Sequence, residues 1–327
     1  MHGLWRSLMG PGGACGPIDR RLAVRKRLIQ PSSPFPQVTL ARPVSFEGVG
    51  IHTGQVTRVT LRPAAPDAGV RFLRTDVTDR DPAVPARADA VCQTRLGTVI
   101  GNGDGITVST IEHLMAAFCG LEVDNALVEI DGPEVPIMDG SCRAFVTAID
   151  TAGRKAQSAR RRYIEILEPV AVAEDGKSAR LSPADGFEVA FEIAFDSSAI
   201  GRQRVDIGVD EMVFREELAP CRTFGFLHEV EALRQAGLAR GGSLDNVLVI
   251  EGDKVLNPDG LRHVDEFVRH KALDAVGDLY LLGAPLMGRY EGMYSGHGLN
   301  NALVRALVAQ PDAWRFSCPR QELARAV

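Results

Sequence analysis

The order of elements in this 327-residue chain repeats, and that repeat restricts the folds open to it more than any single motif does. From Gln37 onward the stretches "QVTLARPVSF", "VTRVTLRPA" and "GVRFLRT" alternate apolar and polar residues between Gly and Pro turns, the pattern of half-buried strands. A helix over 109–119, a strand "NALVEI" (125–130), a Pro/Gly loop and a helix "CRAFVTAIDTAG" complete the first half. Then the text starts again. Strands "YIEILEPVAVA", "SARLSPA", "FEVAFEIAF" and "RQRVDI" lead into helical text at 211–237 and a strand at 246–250. A long helix over 264–282, a strand "LMGRYEGM" and a helix over 298–309 follow. "EHLMAAFCGL" in the first half takes the place that "RHKALDAVGDLYLLG" takes in the second, and a histidine stands at the start of each. The repeat predicts an α+β fold of two similar domains, each a helix pair packed on a mainly antiparallel sheet. Two such units sandwiched together would let the helix starts converge between them.

Boundaries follow from charge. Residues 1–36 hold six basic residues and one acid with no periodicity, and read as a disordered tail or as the result of a start assigned too far upstream. The run "GRKAQSARRR" (153–162) reads as a linker, since so many cations resist burial. That sets the domains at 37–158 and 159–310, with a C-terminal tail at 311–327. A net charge of −5 argues against general nucleic-acid binding, and no run approaches the ~18 apolar residues of a membrane span. The six cysteines are scattered, with no C-x-x-C and no secretory signal, as in a reduced cytoplasmic protein.

Within this frame, Glu112 and His113 stand at the start of "STIEHLMAAF", where Ser109 or Thr110 can cap the helix. An acid there is favourable through the helix dipole alone, so the pair reads either as a capping turn or as chemistry. In "RHKALDAVGD", His270 and Asp274 are four apart and Asp278 extends the same face by another turn. That is either a solvated i,i+4 pair or two ligands of one metal ion. The apolar neighbours, among them Phe267, Val268, Leu273 and Val276, leave this helix little solvent face and favour the second. With His113 added, two histidines and a carboxylate make the usual catalytic zinc set with one position open for water. Glu112 is then the base beside a ligand. His297, between Gly296 and Gly298, and Thr223 in "CRTFGF" read equally as capping or loop residues. "GVGIHTG" (48–54) lacks the Lys-Ser/Thr of a phosphate loop and reads as a β-turn, and "DGSC" is no nucleophile elbow. Two rivals share the ligand set. One is a non-haem Fe(II) oxygenase, against which Glu112 argues; the other is a non-catalytic nucleotide-sugar binding module with a structural metal, against which the unplaced cysteines argue.

The stretches "GVGIHTG", "STIEHLMAAFCGLEVDNALVEIDGPEVPIMDGS", "RTFGF", "GLARGGSLDNVLVI", "DEFVRHKALDAVGDLY" and "SGHGLNNALVRAL" together resemble the UDP-3-O-acyl-N-acetylglucosamine deacetylase family, zinc amidases of bacterial lipid A biosynthesis. The resemblance runs from about Gln37 to Ala309 and leaves the N-terminal 36 residues outside it. It implies a pair of similar α+β domains with the active site between them. It also implies Zn2+ (or Fe2+ in cells) on His113, His270 and Asp274, with Glu112 as base, His297 as a cation partnered by Asp278, and Thr223 beside the oxyanion. Substrate contacts fall on Lys271 and Phe224, with Lys177 near the diphosphate, and "GLARGGSLDNVLVI" falls where the family lines a passage for the acyl chain. The implied substrate is a UDP-sugar carrying a 3-O-acyl chain, deacetylated at its 2-acetamido group by a cytoplasmic monomer with no nucleic-acid partner and no integral membrane segment.

Overall fold

A computed structural model of the protein describes residues 35–318. The basic start read as a tail lies outside the described residues up to position 34, as do positions 319–327.

Each half builds its sheet in the same order. In the first, the hairpin Val44–Val49/Val56–Pro63 runs antiparallel into a central strand, Ala126–Ile130. The far edge of that strand pairs in parallel with Val70–Arg74, which holds Ala83–Pro85 antiparallel. In the second, the hairpin Val170–Glu174/Lys177–Ser182 runs antiparallel into Leu286–Met293, whose far edge pairs in parallel with Phe187–Ala194, which holds Arg202–Gly208 antiparallel. The pairing directions match strand for strand. The duplication is therefore present in the hydrogen-bond topology as well as in the order of elements.

Five helices of more than one turn are described: α1 (Glu112–Gly120), α2 (Arg143–Ala152), α3 (Leu227–Gln235), α4 (Glu266–Tyr280) and α5 (His297–Val308). Helices α1 and α2 belong to the first half, whose core holds Leu61, Phe72, Phe118, Val128 and Phe145. Helices α4 and α5 belong to the second, whose core holds Leu181, Phe191, Phe267, Tyr290 and Leu303. Helices α1 and α4 pack on each other and are buried on nearly every side, as helices between two layers must be. At their crossing a Cβ on Gly277 would stand 2.0 Å from the Glu112 carbonyl oxygen, so only glycine lets the two backbones meet there. Each half also carries an insertion between its last sheet hairpin and its buried helix. In the first this is the small sheet Val91–Gln93, Val99–Gly101 and Thr107–Val108; in the second it is Phe224–Phe226, Leu248–Glu251 and Lys254–Val255 with α3.

Four local expectations change. The charged run 153–162 is mostly a strand, Arg154–Arg160, antiparallel to Pro36–Leu40. Arg161 is 4% exposed, because Asp124 and Glu122 meet its guanidinium at 2.9 and 2.6 Å, and a cation so paired tolerates burial. Part of the C-terminal tail is ordered structure: Trp314–Ser317 forms a strand antiparallel to Tyr163–Ile166. Neither Ser109 nor Thr110 caps α1; the N-cap position is Ile111, with no side-chain bond. The helical text at 211–237 breaks into a short turn with one π-type turn, a strand and α3, so Thr223 precedes a strand and caps no helix.

Candidate active site

The close packing of α1 on α4 sets the site. His113, second residue of α1, faces His270 and Asp274, which stand one turn apart on α4. The Asp274 Oδ1 lies 3.5 Å from His113 Nε2 and 3.3 Å from His270 Nε2, and all three side chains are buried. His270 Nδ1 stands 3.0 Å from the Cys221 carbonyl and must carry the hydrogen, so its Nε2 lone pair faces the cluster. Burial pushes the His270 pKa down to about 4, which keeps the ring neutral, the ligating form. Burial would also raise Asp274, but the positive charges of Lys271 and His297 beside it hold the carboxyl well below the usual carboxylate range.

One detail tests whether these donors fit a metal ion. The Asp274 Oδ2 accepts from Lys271 Nζ at 2.7 Å, whereas the buried Oδ1 has no hydrogen-bond partner among the described residues. A buried carboxylate oxygen left bare beside two imidazole nitrogens is costly by itself and natural in a ligand. The donor set fits.

Glu112 precedes His113 and is 4% exposed. Burial raises its pKa above the ordinary value, and the Thr98 backbone N–H donates to its Oε2 at 3.0 Å. The opening residue of α5, His297, points Nδ1 at Asp278 Oδ2 (2.8 Å) and Nε2 toward Asp274 (3.9 Å). Burial alone would lower the His297 pKa; the Asp278 carboxylate outweighs it and pushes it up to about 9. Asp278 is itself held by Thr98 Oγ1 at 2.5 Å and Asn300 Nδ2 at 2.8 Å. Nothing in the sequence marks Thr98 or Asn300. A threonine in a short insertion and an asparagine in a helix acquire these roles only through distant pairing.

The cluster floors a cavity of 760 Å³, within the range of small-molecule sites. Thr223, the adjoining strand residue Phe224, Lys271 from α4 and Lys177 from the second half's hairpin all line it, and Phe195, Phe226, Val230 and Leu233 make one wall apolar. The turn 48–54 also reaches it, through Ile51 and His52. Four lining residues other than glycine, Leu96, Thr110, Ala239 and Tyr294, have φ between +51° and +58°. Such backbone is unfavourable for these residue types and gathers where function demands it.

Two histidines with a carboxylate, a desolvated second carboxylate and a paired imidazolium at one cavity floor suit attack of water on a carbonyl, the chemistry of a hydrolytic enzyme. The family model for UDP-3-O-acyl N-acetylglycosamine deacetylase matches residues 37–309. Among the similar proteins is the UDP-3-O-acyl-N-acetylglucosamine deacetylase of Phenylobacterium zucineum, 63% identical over 291 residues, covering 89% of this chain and 99% of that one. The deacetylases of Syntrophotalea carbinolica (48% identical; 86% and 90% covered) and Teredinibacter turnerae (49%; 86% and 92%) align nearly as fully. The protein belongs to the UDP-3-O-acyl-N-acetylglucosamine deacetylase family. That membership sets aside the oxygenase and the non-catalytic binding module, since the family's members are hydrolytic deacetylases.

Proposed function

We propose that this protein hydrolyses the 2-acetamido group of a UDP-3-O-acyl-N-acetylglucosamine, releasing acetate, as a step of lipid A biosynthesis in the cytoplasm. The observation that carries the reading is the bare Asp274 oxygen beside two histidine nitrogens, next to Glu112, under an apolar-walled cavity. His113, His270 and Asp274 would hold Zn2+ or Fe2+, which when bound supplies Lewis acidity, polarising a carbonyl and bringing the pKa of water to ~7. Glu112, made more basic by burial, takes the proton of the attacking water. The Thr223 hydroxyl donates to the oxyanion as the carbonyl becomes tetrahedral. His297, kept protonated by Asp278, favours that negative charge and gives its proton to the departing amine. Lys271 and Phe224 contact the substrate, Lys177 faces its diphosphate, and the 3-O-acyl chain lies along the apolar wall. The enzyme acts as a monomer, and its repeated units are 37–158 and 159–310.

The test is acetate release from the acylated UDP-sugar by purified, metal-loaded protein, with Glu112→Gln alongside. We expect the variant to keep its metal and lose turnover by ~10²-fold or more, as befits loss of a general base. Turnover near that of the unaltered protein would exclude Glu112 as the base, and absence of acetate from the unaltered protein would exclude the substrate.

A further inference from the structure

Glu134 is a fully buried carboxylate that the reaction does not use. Among the described residues its four donors are all neutral, two to each oxygen. His52 N–H (2.9 Å) and the Thr110 hydroxyl (3.0 Å) meet Oε1, while Thr53 N–H (2.8 Å) and the Thr53 hydroxyl (2.7 Å) meet Oε2. This explains the turn in "GVGIHTG". Residues 51–53 wrap the carboxylate closely, and a Cβ on Gly50 would stand 2.3 Å from Oε2. The other end of the arrangement is Thr110. A β-branched residue at φ +56° is a genuine outlier, and this one stands two positions before Glu112 and three before His113. Ser109 pairs with the chain on both sides of Glu134, through Ser109 N–H to Pro133 O (2.9 Å) and Val135 N–H to Ser109 O (3.0 Å). The segment entering α1 is thus gripped at its backbone, and its strained residue is gripped at its hydroxyl.

We propose that Glu134 is a positioning residue for the deacetylation. It holds Thr110 in its strained conformation, braced against the 51–53 turn, and so fixes the direction in which α1 presents Glu112 and His113. A bare propensity for helix would not set that direction, because α1 has no side-chain cap. Nor is the carboxylate needed merely to neutralise a cation, since each donor is an amide or a hydroxyl. The inference rests on the function proposed above for Glu112 and His113, but a metal readout separates the two.

The experiment compares Thr110→Val, which keeps shape and branching but removes the donor, with Thr110→Ser, which keeps the donor. Zinc-loaded proteins are mixed with excess chromogenic chelator to follow metal release, and turnover and KM are measured on the acylated UDP-sugar. We expect Thr110→Val to release zinc about tenfold faster and to lose kcat about tenfold with KM within twofold, as for other groups that orient a ligand from behind. Thr110→Ser should restore both to within about threefold. Glu134→Gln, whose amide must face two donors, should resemble Thr110→Val if it folds; where thermal unfolding shows that it does not, the threonine pair decides alone. Thr110→Val matching the unaltered protein in zinc release and kcat would overturn the proposal, and so would Thr110→Ser as impaired as Thr110→Val. Zinc release can be read even if acetate is never produced, so failure of the deacetylase reading leaves this test standing.

Discussion

Replacing Gly277 with alanine isolates the packing on which the site depends. The new Cβ would stand 2.0 Å from the Glu112 carbonyl oxygen, 2.8 Å from its carbon and 3.1 Å from the Ala116 nitrogen, all of them backbone atoms. No flexible side chain can yield. Moving the oxygen from 2.0 Å to the 3.4 Å of ordinary contact requires the start of α1 to withdraw from α4 by about 1.4 Å. Two stability effects oppose each other: alanine gains ~1 kcal/mol over glycine in a helix interior, and overpacking costs ~1–3 kcal/mol. Net destabilisation of about 2 kcal/mol or less follows, small enough to leave the protein folded. Activity responds differently, because the residues displaced are Glu112 and His113. A misplacement of ~1 Å at a reacting centre costs ~10²-fold in rate. We therefore expect Gly277→Ala to remain folded, with a modestly lower thermal transition, and to lose about 10²-fold in kcat/KM. The assay is acetate release alongside circular dichroism and metal stoichiometry. A folded Gly277→Ala protein with turnover within twofold of normal would refute the claim that the α1–α4 contact sets the geometry.

Two further outcomes concern pH. Burial acts to raise the Glu266 pKa, but hydrogen bonds from Arg222 and the backbone of Arg262 outweigh it and hold the carboxyl below its ordinary value. An acid with a depressed pKa contributes stability that is complete above the unfolded value of ~4.3 and is lost as pH falls through the lower folded value. Glu266→Gln should thus be less stable at neutral pH by about 3–5 kcal/mol, the cost of breaking a buried pair, and should converge on the unaltered protein on acidification. Denaturant unfolding at several pH values checks this, and a gap constant down to the acid end would contradict it. For His297, pushed up to about 9 by Asp278, activity that needs the protonated ring should fall as pH rises through that value. Asp278→Asn removes the charge that favours the imidazolium and should move the alkaline limb of kcat/KM to lower pH. An unmoved limb would assign it to another group.

The repeat was legible because strand alternation and helix periodicity are local, and the two halves spell them in the same order. His270 and Asp274 were legible for the same reason, since four-residue spacing on a helix is a statement about one face. What escaped was set by distant contacts. Thr98 reaches Asp278 across 180 positions of sequence, and it donates to the Glu112 carboxylate through its own backbone N–H, which no residue type announces. Thr110 was expected at a helix cap, the commonest use of its hydroxyl, and was diverted by Glu134 from a segment that pairs beside it. The cationic run misled for an electrostatic reason. Charge counted along the sequence overlooks the two carboxylates at 122 and 124 that fold back onto Arg161 and make its burial tolerable.

The candidate ligands are divided unequally between the repeats: His113 comes from the first, His270 and Asp274 from the second. An ion held by all three is then a fastener as much as a reagent, because it cannot be fully bound unless α1 and α4 are in contact. By linkage, each tenfold of free metal above the dissociation constant adds ~1.4 kcal/mol to the assembled state at the expense of any state in which those helices have parted. Metal starvation would therefore show itself as loosening between the halves, in addition to any loss of turnover.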